Sequence, residues 1–91
     1  MRIRWAYAAA SDLAAIRDYL REQRPSLMQS TIRKLYDTTR SLKKFPNRGR
    51  IGRLAGTREL VLSPMPYIVV YSVEHEVVHI LRLIHASEDW P

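Results

Sequence analysis

Residues 66–91 read PYIVVYSVEHEVVHILRLIHASEDWP, and the fold turns on this stretch. Two runs rich in β-branched and aromatic residues, 67–73 and 77–87, flank the polar turn Glu74-His75-Glu76, the pattern of a β-hairpin. The first run is apolar on both of its faces. Such a strand belongs mid-sheet, with material over each face or with one face reserved for a partner. Arg82 and His85 stand near the end of the second run, as an active site or as residues at a rim. A period of two puts His79, Leu81, Leu83 and His85 on one face and Ile80, Arg82 and Ile84 on the other. Arg82 and His85 then converge on one atom only if a bulge intervenes.

Working outward, the run Arg58–Leu62 reads as a further strand, turned into the hairpin by the Pro64 and Pro66 pair. Before it, FPNRGRIGRLAGT (45–57) breaks every periodicity with one proline and three glycines and reads as a basic loop. Upstream again, Met28, Ile32, Leu35, Thr39 and Leu42 form one seam of a helix from Ser26 to about Lys44, with Ser26 as its cap. Pro25 separates it from an amphipathic helix at 8–23, whose Leu13, Ile16 and Leu20 line one side while Asp12, Arg17 and Arg21 take others. The opening RIRWAY alternates charged and apolar residues as a short strand does. The order β-α-α-β-β-β gives an α+β class: a two-helix antiparallel hairpin packed on one face of a mostly antiparallel four-stranded sheet, in one domain spanning 1–91.

Apolar residues at 46% suffice for one small core, and 26% charged residues argue against disorder. The absence of cysteine excludes disulfides and thiolate metal sites. No run of residues is long and apolar enough for a membrane span, so a cytoplasmic location is expected. The net charge of +6 suits a polyanionic partner. It is concentrated: between Arg33 and Arg58 nine basic residues face one acid, Asp37.

Within that zone Lys43 and Lys44 are explained by the carboxyl end of a helix dipole. Arg48, Arg50 and Arg53, interleaved with glycines, have the planar donors that suit carboxylate or phosphate recognition. Arg58 adjoins them. Arg82, alone in an apolar strand, needs a partner such as Glu59 or an exposed role in binding. His85 is either a strand-end histidine bonded to backbone or a base and contact residue; no second ligand at a suitable spacing makes it a metal site. Trp5, Tyr19, Tyr36, Tyr67 and Tyr71 are scattered, which fits core or rim packing better than a base-stacking platform.

The segments SDLAAIRDYLREQRP, LKKFPNRGRIGRLAGTREL, PYIVVYSV and VVHILRLIHASEDWP resemble the RelE/ParE superfamily of toxins from bacterial type II toxin–antitoxin modules, nearly end to end. The resemblance implies one fold with two mechanisms: ribosome-dependent cleavage of messenger RNA, or inhibition of DNA gyrase. Cleavage by the RNA 2′-hydroxyl needs a base, an acid and cations around the phosphorane. RelE-like members supply these from second-strand lysines, an arginine after the third-strand tyrosine, and arginine plus tyrosine at the carboxy end. Here Arg58, Glu59 and Val61 stand on that strand, Ile68 follows Tyr67, and the last residues carry Glu88, Asp89 and Trp90.

The resemblance therefore implies a growth-arresting toxin on the ParE-like side, acting on gyrase. The alternatives are a ribosome-dependent endonuclease, with Arg58, Arg82 and His85 as its catalytic set, and an inactive homologue. Residues expected to contact target or antitoxin are Arg48, Arg50, Arg53, Arg58, Arg82, His85 and Trp90. No cofactor is expected. The implied partner is an antitoxin with an acidic, partly disordered carboxy-terminal segment, and DNA binding is expected only through that antitoxin.

Overall fold

A computed structural model describes residues 1–91. The elements are β1 (Arg2–Trp5), α1 (Tyr7–Gln23), α2 (Pro25–Ser41), β2 (Arg50–Ile51), β3 (Arg58–Val61), β4 (Tyr67–Glu74) and β5 (Val77–His85). They build one sheet in the order β1-β5-β4-β3-β2, antiparallel throughout except for the parallel pairing of β1 with β5. The α+β class and the helix pair on a mostly antiparallel sheet are as the sequence implies. No helix is long and apolar enough to cross a membrane.

One strand and several boundaries differ from expectation; β1 stops at Trp5 within RIRWAY, and β5 stops at His85, two residues short of the end of the run 77–87. The sheet has five strands, because Arg50 and Ile51 pair with Glu59 and Arg58 inside the supposed loop. Glycine density hid this strand. Gly52 N–H closes onto Thr57 C=O at 2.8 Å, so the glycines serve a tight hairpin rather than a free loop. The second helix stops at Ser41, ahead of Lys44, and begins with Pro25 at its first turn, where proline costs no hydrogen bond. Ser26 therefore lies inside the helix and caps nothing; Arg24 occupies the cap position.

The main core lies between helices and sheet. Ala9, Leu35 and Leu42 from the helices meet Tyr67, Val69 and Tyr71 of β4 and Val78, Ile80 and Leu83 of β5. Full burial of such aliphatic side chains stabilises by about 1.5–3 kcal/mol each. Ile80 and Leu83 share this face although they are three residues apart. The register explains it: Tyr71 pairs with Ile80 and Val70 with Arg82, leaving Leu81 as an extra residue in a β-bulge. Strict alternation therefore misplaces Ile80, which sides with Leu83 and His85. Arg82 and His85 remain on opposite faces, so the bulge does not unite them.

Tyr71 ties the basic segment to this core. Its ring is fully buried, and its hydroxyl donates to Pro46 C=O at 2.7 Å while accepting from Gly49 N–H at 2.8 Å. Burial raises its pKa, with the Gly49 bond and the Arg58 and Arg48 charges opposing. A Cβ on Gly49 would fall 2.8 Å from the Tyr71 ring edge and hydroxyl, which is why a glycine stands there. Tyr71→Phe should cost about 1–3 kcal/mol in urea unfolding, since both loop groups lose their buried partner.

The β4–β5 turn is built without glycine. His75 and Glu76 both have positive φ, 50° and 61°, as a two-residue type I′ turn requires. Left-handed backbone at a residue with a Cβ costs about 1–2 kcal/mol. Glu76→Gly is expected to stabilise the chain by about 1 kcal/mol in the same assay, while a loss of stability would show that the turn carries no such strain.

Candidate functional site

The sheet face turned away from the helices holds a second, smaller apolar cluster. Ile68, Val70 and Ile84 are nearly or fully buried there, with Leu81 and Trp90 packed against them. The register sets Arg50 beside Glu59, Glu59 beside Val70, and Val70 beside Arg82. A row of charged groups therefore crosses the sheet next to the apolar cluster.

Glu59 is the centre of one half of that row. It is only 2% exposed. Its Oε2 accepts the Arg53 backbone N–H at 2.9 Å, and its Oε1 accepts Arg50 Nη2 at 3.1 Å and Arg53 Nη2 at 3.4 Å. The Arg53 backbone bond is the largest influence holding its pKa below the usual value; burial opposes, and the Arg50 and Arg53 side chains add to the lowering. Arg53 also reaches Trp90 C=O at 3.2 Å through Nη1.

Arg82 is held from the other side, by α1. Its Nε and Nη2 donate to the two oxygens of Asp12 at 2.6 and 3.1 Å. That bond is the chief reason its pKa is raised further; the Asp12 and Glu88 charges add, and burial opposes. The expected Arg82–Glu59 pair is therefore not formed: Glu59 belongs to Arg50 and Arg53. Asp12 also accepts Leu83 N–H at 2.9 Å. β1 pairs with β5 only as far as Ile80, and the Asp12 carboxylate takes up a ladder donor beyond that point. The Arg82 guanidinium in turn lies 5.4 Å from the Trp90 ring centroid, within cation–π range.

The remaining sequence candidates lie elsewhere. Arg58 is spent on the chain itself, donating to Gly49 C=O at 2.7 Å and Asn47 C=O at 3.5 Å. Arg48 donates to Ser41 Oγ at 2.8 Å and is otherwise exposed. His85 stands at the rim on the helix side, edge-on to Tyr67 with centroids 5.7 Å apart. Its Nδ1 accepts Ser87 N–H at 3.1 Å, so the ring hydrogen of the neutral tautomer sits on Nε2. Burial raises the Tyr67 pKa, with the nearby Tyr19 adding. His85 also borders a cleft of about 640 Å³ lined by Tyr19, Leu27, Met65, Pro66 and Leu83. Trp5 and Tyr36 pack together 5.8 Å apart, whereas Tyr19 is 61% exposed.

Thus Arg50, Arg53, Arg82 and Trp90 assemble on one face, and Arg48, Arg58 and His85 do not join them. The sequence pattern does not single out Asp12, which takes a helix face other than the Leu13, Ile16 and Leu20 stripe. Its spacing of three from Ala9 and four from Ile16 places it on the sheet-facing border, and that spacing was the available signal.

Known proteins match this chain over nearly its whole length. A family model described as the ParE toxin of the type II toxin–antitoxin system parDE matches residues 3–90. Y4kP of Sinorhizobium fredii, named as a toxin, is 36% identical over 90 residues, covering 99% of this chain and 93% of its own. Toxin RelE2 of Caulobacter vibrioides is 41% identical over 83 residues, covering 91% and 92%. A solved structure of the chromosomal ParDE TA system from P. aeruginosa superposes with a TM-score of 0.83 at 27% identity, covering 93% of this chain and 95% of that one. The YoeB/ParE toxin from Agrobacterium tumefaciens shares the fold, with a TM-score of 0.62 at 16% identity over 93% and 98% of the two chains.

The lowered Glu59 pKa sets a pH dependence. A carboxylate whose folded pKa lies below its unfolded one adds stability that is full above the unfolded value, about pH 4.3, and is lost as pH falls through the folded value. Glu59→Gln should therefore lower stability by about 2 kcal/mol at pH 7 and flatten the loss expected of the wild type below about pH 4. Parallel wild-type and variant curves in acid would show that Glu59 does not carry this dependence.

Proposed function

We propose, from the premise that the chain belongs to the family of ParE toxins of type II toxin–antitoxin systems, that it arrests growth by gripping DNA gyrase and not by cutting RNA. It is the toxin partner of a cognate antitoxin. The observation that carries the choice of target is the separation of Arg58, Arg82 and His85. A phosphorane needs its base and cations around a single atom. Arg58 is turned onto loop carbonyls, Arg82 is clamped by Asp12, and His85 faces the helix side. Ile68, where RelE-like members keep an arginine, is 4% exposed and part of the apolar cluster. A surface with these groups binds; it has no evident way to move a proton and hold a phosphorane together.

The antitoxin in this reading is a chain with an acidic, partly disordered segment that folds across the toxin. Ten of the fifteen basic residues have no intramolecular carboxylate partner and remain for such a segment or for the target. The apolar cleft beside Tyr19, Leu27 and Met65 offers area that a folding segment can bury.

Expression without the antitoxin should stop growth, and the purified protein should block gyrase supercoiling while leaving messages on programmed ribosomes intact. His85→Ala should change growth arrest by no more than about twofold, whereas loss of a general base costs about 100-fold or more. Codon-specific scission by the wild type, abolished in His85→Ala, would establish the endonuclease alternative.

A further inference from the structure

One large apolar side chain stands among cations at the exit of α2. Phe45 is 57% exposed and belongs to neither apolar cluster. Arg40, Lys43, Lys44 and Arg48 flank it in sequence, all of them exposed, and none pairs with a carboxylate. No acid occurs from Thr38 to Arg58. The carboxyl end of a helix dipole amounts to about half a negative charge, which four cations far exceed.

The segment is held in place although it has no regular structure. Phe45 N–H donates to Ser41 C=O at 2.9 Å, and Phe45 C=O accepts Arg48 N–H at 3.2 Å. Pro46 follows, with its φ fixed by the ring. Arg48 is oriented by its Nη1 bond to Ser41 Oγ, which leaves its other donors for a ligand. The carbonyls of Pro46, Asn47 and Gly49 are occupied by Tyr71 Oη and Arg58 Nη1, so the oxygens that would repel an anion already have partners within the chain. An open hollow of about 620 Å³ lies here, lined by Lys44, Phe45, Pro46, Asn47 and Arg48.

A fixed aromatic face in water favours a flat partner, and a nucleobase is a flat partner whose own backbone brings phosphates to the cations around it. We propose that Phe45 is a stacking platform for an unpaired or unstacked nucleobase, and that Arg40, Lys43, Lys44 and Arg48 hold the phosphates on either side. The ligand is a nucleic-acid strand. A fully stacked duplex offers its bases only edge-on in the grooves and meets the cations alone. The surface belongs to this chain itself, whereas the sequence leads one to expect DNA contact only through an antitoxin. It goes beyond the gyrase reading and does not depend on it: a protein that blocks supercoiling but binds no strand would keep that reading and lose this one.

The probe is a fluorescein-labelled dodecamer of single-stranded DNA, titrated with the full chain and followed by anisotropy between about 50 and 200 mM salt. Phe45→Ala and Phe45→Leu should each weaken binding at least about fivefold and leave its salt dependence unchanged, since neither removes a charge. Leucine keeps the apolar bulk and loses only the π face, so it decides the matter should the alanine variant not fold. Phe45→Trp should bind at least as tightly as the wild type. Lys44→Gln should flatten the slope of log K against log salt by about 0.7. Arg2→Gln removes the same charge from β1, at the opposite edge of the sheet from β2, and should leave affinity and slope nearly as they were.

Undiminished binding by folded Phe45→Leu would overturn the proposal, as would equal losses in Lys44→Gln and Arg2→Gln, which would assign the binding to net charge. Duplex of the same sequence should bind equally well to wild type and Phe45→Leu; a matching fivefold loss there would reject the stacking role. Failure to bind any single strand at the lowest salt would end the idea. An RNA strand of the same sequence identifies the natural source: tighter DNA binding points to DNA held by gyrase, tighter RNA binding to a message or ribosome, and the platform stands in either case.

Discussion

One buried carboxylate organises the outer face of this sheet. Glu59 projects from a strand where the neighbouring side chain on the same face is Val70, and an unpaired charge there would be strongly disfavoured. It is tolerated because the segment before β3 doubles back and supplies a backbone N–H and two guanidinium groups. The fold of that segment and the ionisation of Glu59 are therefore one requirement. Tyr71 performs the matching task on the other face, where its buried hydroxyl serves Pro46 and Gly49. What reads as a loose basic loop is pinned from both faces of the sheet.

Asp12 makes the same kind of connection at the opposite end of the charged row. β1 is four residues long and leaves the edge of β5 without a strand partner beyond Ile80. The helix that follows it returns a carboxylate to that edge, satisfying Leu83 N–H and orienting Arg82 at once. Breaking either carboxylate's contacts would be felt at Trp90, because Arg53 and Arg82 are the two charged groups that touch it. These are partly buried pairs with several hydrogen bonds each, the circumstance in which an ion pair fixes geometry as well as adding stability.

The sequence shows the fold well where periodicity is the whole signal. The seam through Ile32, Leu35 and Leu42, the leucine and isoleucine positions of α1, and the doubly apolar β4 all fall in the core or pack against it. It shows the site poorly, for two reasons. A bulge at Leu81 adds one residue and inverts the alternation on which Ile80 was assigned, and nothing in a run of aliphatic residues marks where a bulge will fall. Ion pairs are also non-local. Asp12 and Arg82 are 70 residues apart, and the partner that the sequence offers Arg82, Glu59, pairs instead with Arg50 and Arg53. Trp90 could be named as a contact residue from its type, but its position against Arg82 and within reach of Arg53 depends on how residues 86–91 turn after β5.

The distribution of charge separates two roles that a bare count of +6 merges. The paired arginines lie mostly on the outer face of the sheet, where an adjoining apolar cluster and half-buried forks favour short-range, oriented contact. Most of the unpaired cations follow α2 and its exit: Arg33, Arg40 and Lys44 are exposed at spacings of seven and four, opposite the buried Leu35 and Leu42. Exposed charges of that kind act at a distance, are weakened by salt within about 10 Å at 0.1 M, and speed encounter more than they prolong it. Bound lifetime depends instead on buried aromatic and arginine contacts. A small protein with both surfaces can attract a polyanionic assembly along one side and hold a protein segment on another, and neither task requires that it break a bond.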